Sequence, residues 1–265
     1  MSSPPSSPFS KASWRIGLGT YRIGAETENV VSQALAMGWR HIDTAALYRN
    51  EAAVGAAIRA SGIPRRELFV TTKIHVDDIA RLQIPEAVER ALAHLGEIDL
   101  MLLHGWRSQA PEAWAMLAGQ ANKGRVRLIG VSNFGADDLR QLGPPMPAVN
   151  QIEMSPFLQR RALRKVMSES GIATVAHSPL IKAQRMHAVA AAMAGICDQR
   201  GTLTVAQALL SWSMARGAVP LPRSGDGIHL RENLSALDIE LSPDQLARLD
   251  ALEDGFSTHP RSARD

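Results

Sequence analysis

Short apolar runs alternate with amphipathic stretches along the whole 265-residue chain, the pattern of repeated β/α units around a parallel sheet. Strand-like runs are RIGLG (15–19), RHIDT (40–44), LFVTTK (68–73), IDLMLLH (98–104), RLIGVS (127–132), AVNQIE (148–153), IATVAH (172–177) and AVPLP (218–222), eight in all. The intervening segments ENVVSQALAMG, EAAVGAAIRASG, PEAVERALAHLG and DDLRQLG read as helices that close on glycine, which takes the positive φ of a helix C-terminus without steric cost. Pro85 suits a first helical turn, and Thr204 and Ser242 are candidate N-caps. Eight strands with helices between them predict a single-domain α/β fold, a (β/α)8 TIM barrel, over residues 14–256. Residues 1–13 read as a flexible Ser/Pro-rich segment and 257–265 as a C-terminal tail; an open doubly wound sheet is the alternative architecture.

The glycines bear on that choice. A dinucleotide-binding turn of the Rossmann kind needs G-x-G-x-x-G after the first strand, but Gly17 and Gly19 are followed by Arg22, and the next glycine is Gly24. A nicotinamide cofactor, if bound, has to be held another way.

In a parallel barrel, reactive side chains gather where strands end and the βα loops begin. Asp43, Lys73 and His104 each close a strand-like run, and Tyr48 follows Asp43 by five residues. Each has an ordinary structural reading: a capping carboxylate, a snorkelling lysine, a satisfied core histidine, the edge of an amphipathic core. Together they make a proton donor. An ammonium beside a phenol favours phenolate and lowers the phenol pKa from about 10. A carboxylate keeps a buried lysine charged, and a neutral imidazole donates to a carbonyl oxygen.

Composition narrows the class. The formal charge of +3 comes from scattered arginines, so no nucleic-acid surface is expected. Cys197 is the one cysteine, which excludes an internal disulfide and a cysteine metal site; it is expected to be a small buried helix residue, and no metal is predicted. The amino-terminal segment lacks the apolar stretch of a secretory signal and no run approaches a membrane span, so a cytoplasmic protein with no membrane or nucleic-acid partner, and a monomer, is expected.

The segments GLGTYRIG, GWRHIDTAALYRNEAAVG, LFVTTKI, GRVRLIGVSNF, VNQIEMSP, HSPL and PRSGDGIHLRENL resemble, in order, the motifs of the aldo-keto reductases, from about Gly17 to Leu252. ASGIPRRELFVTTKI and QIEMSPFLQ are most similar to the bacterial 2,5-diketo-gluconate reductase B and methylglyoxal reductase branch. The resemblance implies NADPH-dependent reduction of an aldehyde or ketone on a (β/α)8 barrel. It casts Tyr48 as proton donor, Lys73 and Asp43 as the pair that tunes it, and His104 as the imidazole that orients the substrate. Ser132, Asn133 and Gln151 match groups that hydrogen-bond the nicotinamide carboxamide, and Gly19, Thr20 and Asp43 are further cofactor-binding positions. His177, Ser178, Pro179 and Leu180 match the segment that covers the ring, and Arg223, Ser224, His229, Glu232 and Asn233 match the adenosine and 2′-phosphate end.

Departures from the family pattern shape the remaining expectations. His177 stands where a tyrosine usually stacks on the nicotinamide, so a ring able to titrate near neutrality is expected there. His229 replaces the usual phosphate-binding arginine, while Arg223 replaces a lysine, leaving NADP(H) favoured over NAD(H). His75 replaces a tryptophan, and Gly105-Trp106 replaces Trp-Pro after the histidine. With Tyr21, Tyr48, His75, His104 and Trp106 as substrate-side residues the pocket should be open and polar, suited to small oxygenated carbonyls. Few apolar residues follow Leu252, so no deep lid is expected. The alternative function is a cofactor-binding redox sensor with little turnover.

Overall fold

A computed structural model describes residues 8–194 and 203–259; Cys197 lies outside them. One sheet of eight parallel strands runs in sequence order: β1 Leu18–Gly19, β2 His41–Asp43, β3 Phe69–Ile74, β4 Leu100–Leu103, β5 Leu128–Ser132, β6 Val149–Glu153, β7 Ala173–His177 and β8 Ala218–Leu221. Seven fall inside a run marked by the hydrophobic pattern, and β3 runs one residue past its own, to Ile74. The sheet closes on itself: Gly17 N–H donates to Pro220 O at 3.0 Å and Gly19 N–H to Pro222 O at 2.9 Å. Both bonds run from the first strand to the last, since a proline has no N–H to return.

Around the sheet pack α1 Thr27–Met37, α2 Glu51–Ala60, α3 Val76–Ala80, α4 Ile84–Leu95, α5 Ala110–Asn122, α6 Ala136–Arg140, α7 Arg161–Glu169, α8 Met186–Ala192, α9 Val205–Ala215, α10 Gly227–Ser235 and α11 Pro243–Asp250. Their ends follow local chemistry. Gly38 closes α1 as a left-handed cap at φ of 109°, and Gly96 closes α4 at φ of 77°, positive values that glycine takes without a Cβ clash. Thr204 and Ser242 form capping boxes with Gln207 and Gln245, each hydroxyl taking an orphan N–H and each amide returning to the cap.

Period-two alternation divides each strand between two cores. Val70, Ile74, Met101, Leu103, Ile129, Val131 and Ile152 face outward and pack with the helices. Phe69, Leu100, Leu102, Val149, Val175, Val219 and Leu221 belong to a second cluster that fills the barrel. Gly130 belongs to the crowded interior: a Cβ there would stand 2.5 Å from Val149 O and 2.8 Å from a Leu102 methyl.

The floor of the barrel comes from the segment expected to be flexible. Phe9 is 5% exposed and packs on His41 and Phe69 at ring distances of 5.4 and 4.9 Å, and Trp14 joins the same cluster. The Phe9 ring thus adds buried apolar area beneath the short β1. Beneath it His41 lies 3.2 Å from both Trp14 O and Thr71 Oγ1, and burial lowers its pKa to about 4. No helix among the described residues is long and apolar enough to cross a membrane.

Candidate active site

The inward register that fills the barrel with apolar side chains ends, at the C-terminal rim, on polar ones. Asp43 follows His41, Lys73 follows Thr71, His104 follows Leu102, Ser132 follows Gly130, Gln151 and Glu153 follow Val149, and His177 follows Val175. Tyr48 reaches the same rim from a 3₁₀ turn, Ala46–Tyr48, just beyond β2. Asp43, Tyr48, His104, Ser132, Gln151 and His177 border a cavity of about 1010 Å³ that extends past Leu180 and Arg223 to His229, Glu232 and Asn233, with Lys73 and Glu153 buried behind its wall.

At the centre is Lys73, fully buried, whose Nζ donates to Asp43 Oδ1 at 2.5 Å, to Thr44 O at 2.9 Å and toward Tyr48 Oη at 3.4 Å. Gln151 Nε2 donates to the other carboxylate oxygen at 2.8 Å, so both Asp43 oxygens are held. Burial pulls the Lys73 pKa down, but the Asp43 charge and the Tyr48 oxygen more than reverse it, and the ammonium persists. Tyr48 behaves otherwise than expected: burial raises its pKa and outweighs the lowering by Lys73. The phenol is therefore protonated in this state, ready to give a proton rather than sharing it. Its ring lies 5.7 Å from His104, edge to face, and 5.0 Å from Tyr21. Burial, reinforced by Lys73, drives the His104 pKa well below its usual value, so its imidazole is neutral.

Along the far wall a second network links the strand ends. Ser132 Oγ donates to Gln151 O at 3.1 Å and accepts from Asn133 Nδ2 at 3.0 Å, while Asn133 Oδ1 faces His177 Nε2 at 2.8 Å. Asn133 and Ser178 both sit in the left-handed region, at φ of 60° and 53°, where sharp turns bring strand-end side chains into the cavity. The expected titration of His177 near neutrality is not met: burial, despite the Glu153 charge, lowers its pKa to about 3. Sequence gives no measure of that burial.

Of the residues marked for cofactor and substrate, most border the cavity: Gly19, Tyr21, His75, Ser178, Pro179, Leu180, Arg223, Ser224, His229, Glu232 and Asn233 join those above. Two do not. Thr20 is buried, its hydroxyl donating to Asp43 O at 3.0 Å, so it shapes the rim from behind. Trp106 is absent from the cavity lining and packs edge-on against Phe134 at 5.4 Å, on the apolar side of the barrel. His75 caps α3, its Nδ1 accepting from Asp77 N at 3.1 Å.

The structure adds residues that the pattern did not mark. Arg22, Leu47, Lys182 and Met186 line the cavity, and so does His259 from the tail. Glu153 accepts hydrogen bonds from Ser257, Thr258 and His259, which draws the tail over the ends of β6 and β7. The tail forms a wall through polar contacts, where few apolar residues had suggested little cover.

The residues at hand suit a dinucleotide. Gln151 Oε1 and the second Asn133 amide hydrogen offer the acceptor and donor that a carboxamide needs, and Arg22, Lys182 and Arg223 supply cations along the cavity. A Cβ on Gly19 would stand 3.4 Å from Leu221 O, so glycine keeps the backbone low at that edge.

Comparison with known proteins follows the same line. A model of the Aldo/keto reductase family matches residues 15–254. An aldo-keto reductase of Mycolicibacterium vanbaalenii is 42% identical over 255 residues, covering 92% of this chain and 90% of that one. The solved aldo-keto reductase from a Medee basin deep-sea metagenome library superposes with a TM-score of 0.86 at 32% identity, over 92% of both chains. The Bombyx mori aldo-keto reductase, solved in complex with NADP, superposes with a TM-score of 0.80 at 29% identity, over 94% of this chain and 93% of that one.

Proposed function

Because the chain belongs to the aldo/keto reductase family, whose members carry out NAD(P)H-dependent carbonyl reduction, we propose that this oxidoreductase uses NADPH to reduce small polar aldehydes or ketones, with Tyr48 as proton donor. The observation that carries the reading is the contact of Tyr48 with a buried Lys73–Asp43 pair beside a neutral His104, all at one end of the cavity. The nicotinamide supplies the hydride.

The protein's part is alignment and charge. The His104 imidazole orients the carbonyl oxygen toward the phenol. The Tyr48 proton passes to that oxygen as negative charge develops on it, and the Lys73 ammonium stabilises the phenolate left behind. Asp43 keeps Lys73 charged and aimed, and Gln151 keeps Asp43 aimed.

Gln151, Asn133 and Ser132 would hold the carboxamide, and His177 would lie against the ring. Arg223, Ser224 and His229 would meet the 2′-phosphate, which favours NADPH over NADH. His75, whose Nδ1 is taken by Asp77 N, has Nε2–H to present to an oxygenated substrate, and Tyr21 and Leu47 rim the opening. Similarity to the 2,5-diketo-gluconate reductase B and methylglyoxal reductase branch points to small dicarbonyls.

Fluorescence titration with each reduced dinucleotide, then turnover on a panel headed by methylglyoxal, tests the reading. Binding without oxidation of NADPH by any carbonyl would favour the sensor alternative, and no binding would sink both.

A further inference from the structure

The rim carries a polar array that the hydride and proton steps do not use. Glu153, 4% exposed, closes β6, and its carboxylate accepts from the tail: Ser257 Oγ, Thr258 N and Thr258 Oγ1 at 2.6 Å and His259 N at 3.2 Å. A carboxylate only accepts, so the Thr258 hydroxyl spends its single hydrogen on Glu153. Thr258 Oγ1 lies 3.0 Å from His259 Nδ1 and must accept there, which puts the His259 proton on Nδ1.

At the other end, Asn133 gives its Nδ2 to Ser132 and turns Oδ1 to His177 Nε2, so His177 carries its proton on Nε2 and a lone pair on Nδ1. Ser178 Oγ stands between the rings, 3.3 Å from His177 Nδ1 and 3.5 Å from His259 Nδ1. One orientation serves both: it donates to His177 and takes the longer branch of the His259 Nδ1–H, whose shorter branch goes to Thr258 Oγ1. Two acceptor ends, Glu153 and Asn133, thus set the direction of the hydrogen bonds that run from Thr258 through His259 and Ser178 to His177. The rings also meet edge to face, 5.7 Å apart at 78°. Lys182 donates to Thr258 O at 3.1 Å and Arg185 pairs with Asp254, so the tail is fastened to the loop after β7 as well.

We propose that Glu153, Thr258 and His259 are positioning residues that act through Ser178 to lock His177 in its Nε2–H tautomer, and that this lock strengthens dinucleotide binding. Without it, a ring that moved its proton to Nδ1 would set a lone pair against Asn133 Oδ1. The amide would then have to turn over, taking Nδ2 away from Ser132 and from the cavity. The effect on binding rests on the function proposed above; the tautomers do not.

Nitrogen-15 spectra of histidine-labelled full-length protein near neutral pH read the lock directly. The expected result is His177 protonated on Nε2 and His259 on Nδ1. Thr258→Val, which removes the hydroxyl at nearly constant shape, should release His259 from the Nδ1–H form and shift the His177 signals, and Thr258→Ser should restore both. In fluorescence titration with NADPH, His259→Ala should weaken binding about two- to tenfold, the range of an edge-to-face ring pair worth ~0.5–1.5 kcal/mol. Adding Glu153→Gln to His259→Ala should cost little more than either change alone, since both cut one chain. His259 protonated on Nε2 in the wild type, His177 signals unmoved by Thr258→Val, or fully additive costs would overturn the proposal. A wild-type protein that binds neither reduced dinucleotide sinks the reductase reading alone, and the spectra still decide the lock.

Discussion

Lys73 Nζ lies 3.4 Å from Tyr48 Oη while it donates to Asp43 at 2.5 Å, so the cation beside the phenol is anchored from behind. Tyr48→Phe should bind NADPH as the wild type does and lose about 10²–10⁴ in turnover, the usual worth of a positioned general acid. Steady-state kinetics beside a cofactor titration checks this; near-normal turnover would remove Tyr48 from its role. Lys73→Met should cost more than turnover. It leaves the Asp43 carboxylate buried without its cation, and breaking such a pair destabilises by about 3–5 kcal/mol, readable as a lowered denaturation midpoint.

His177 should be silent in pH profiles. With its pKa lowered to about 3 by burial, the ring stays neutral from pH 5 to 8, and its ionisation contributes no change in cofactor affinity over that range. The dissociation constants of wild type and His177→Tyr should therefore change in parallel with pH. A wild-type break near pH 6.5 that His177→Tyr abolishes contradicts the burial described here.

Arg223 is the cation expected to separate the two cofactors. Arg223→Ala should weaken NADPH about 10- to 100-fold, as loss of a charge-assisted hydrogen bond worth ~1.5–3 kcal/mol requires, and leave NADH nearly unchanged. Equal losses for both cofactors would show that Arg223 does not meet the 2′-phosphate. His229→Arg should move the NADPH constant the other way, because it adds a permanent charge at the same end of the cavity.

Acid should loosen the floor of the barrel. His41 has a folded pKa of about 4, below its unfolded value near 6.5, so between these limits the unfolded chain binds more protons and stability falls as pH falls. Above about pH 6.5 both states are neutral and the effect vanishes; below about pH 4 it levels off, after a loss on the order of 3 kcal/mol. Chemical denaturation at stepped pH measures it, and His41→Gln should show a shallower decline.

The strands were legible because alternation and turn residues speak locally. Every strand lies within its predicted run except β3, which goes one residue further to Ile74, and the Thr204 and Ser242 caps are where short polar side chains precede a helix. The ends of those runs also located Asp43, Lys73 and His104. What sequence did not carry was burial and long-range contact. It gave the sign of Lys73's influence on Tyr48 but not the larger opposing effect of enclosure, and the same omission hid the neutrality of His177. Trp106 is expected at the pocket by analogy with a Trp-Pro pair, and its indole packs on Phe134 instead, a long-range contact that local pattern does not show. His259 and Phe9 escaped for another reason. Each is a lone ring in a polar segment, held to residues far along the chain, so no period marks it.

The joint between the first and last strands has a one-sided construction. Gly17 and Gly19 give their amide hydrogens to Pro220 and Pro222, and the prolines have none to give back. If the cylinder breathes anywhere, it parts along this line first, and deuterium should enter at Gly17 and Gly19 ahead of the neighbouring staves. Gly19 and Arg223 flank that joint and both border the cavity, so a cofactor lying across it would act as a clasp, tightening the whole ring each time it docks.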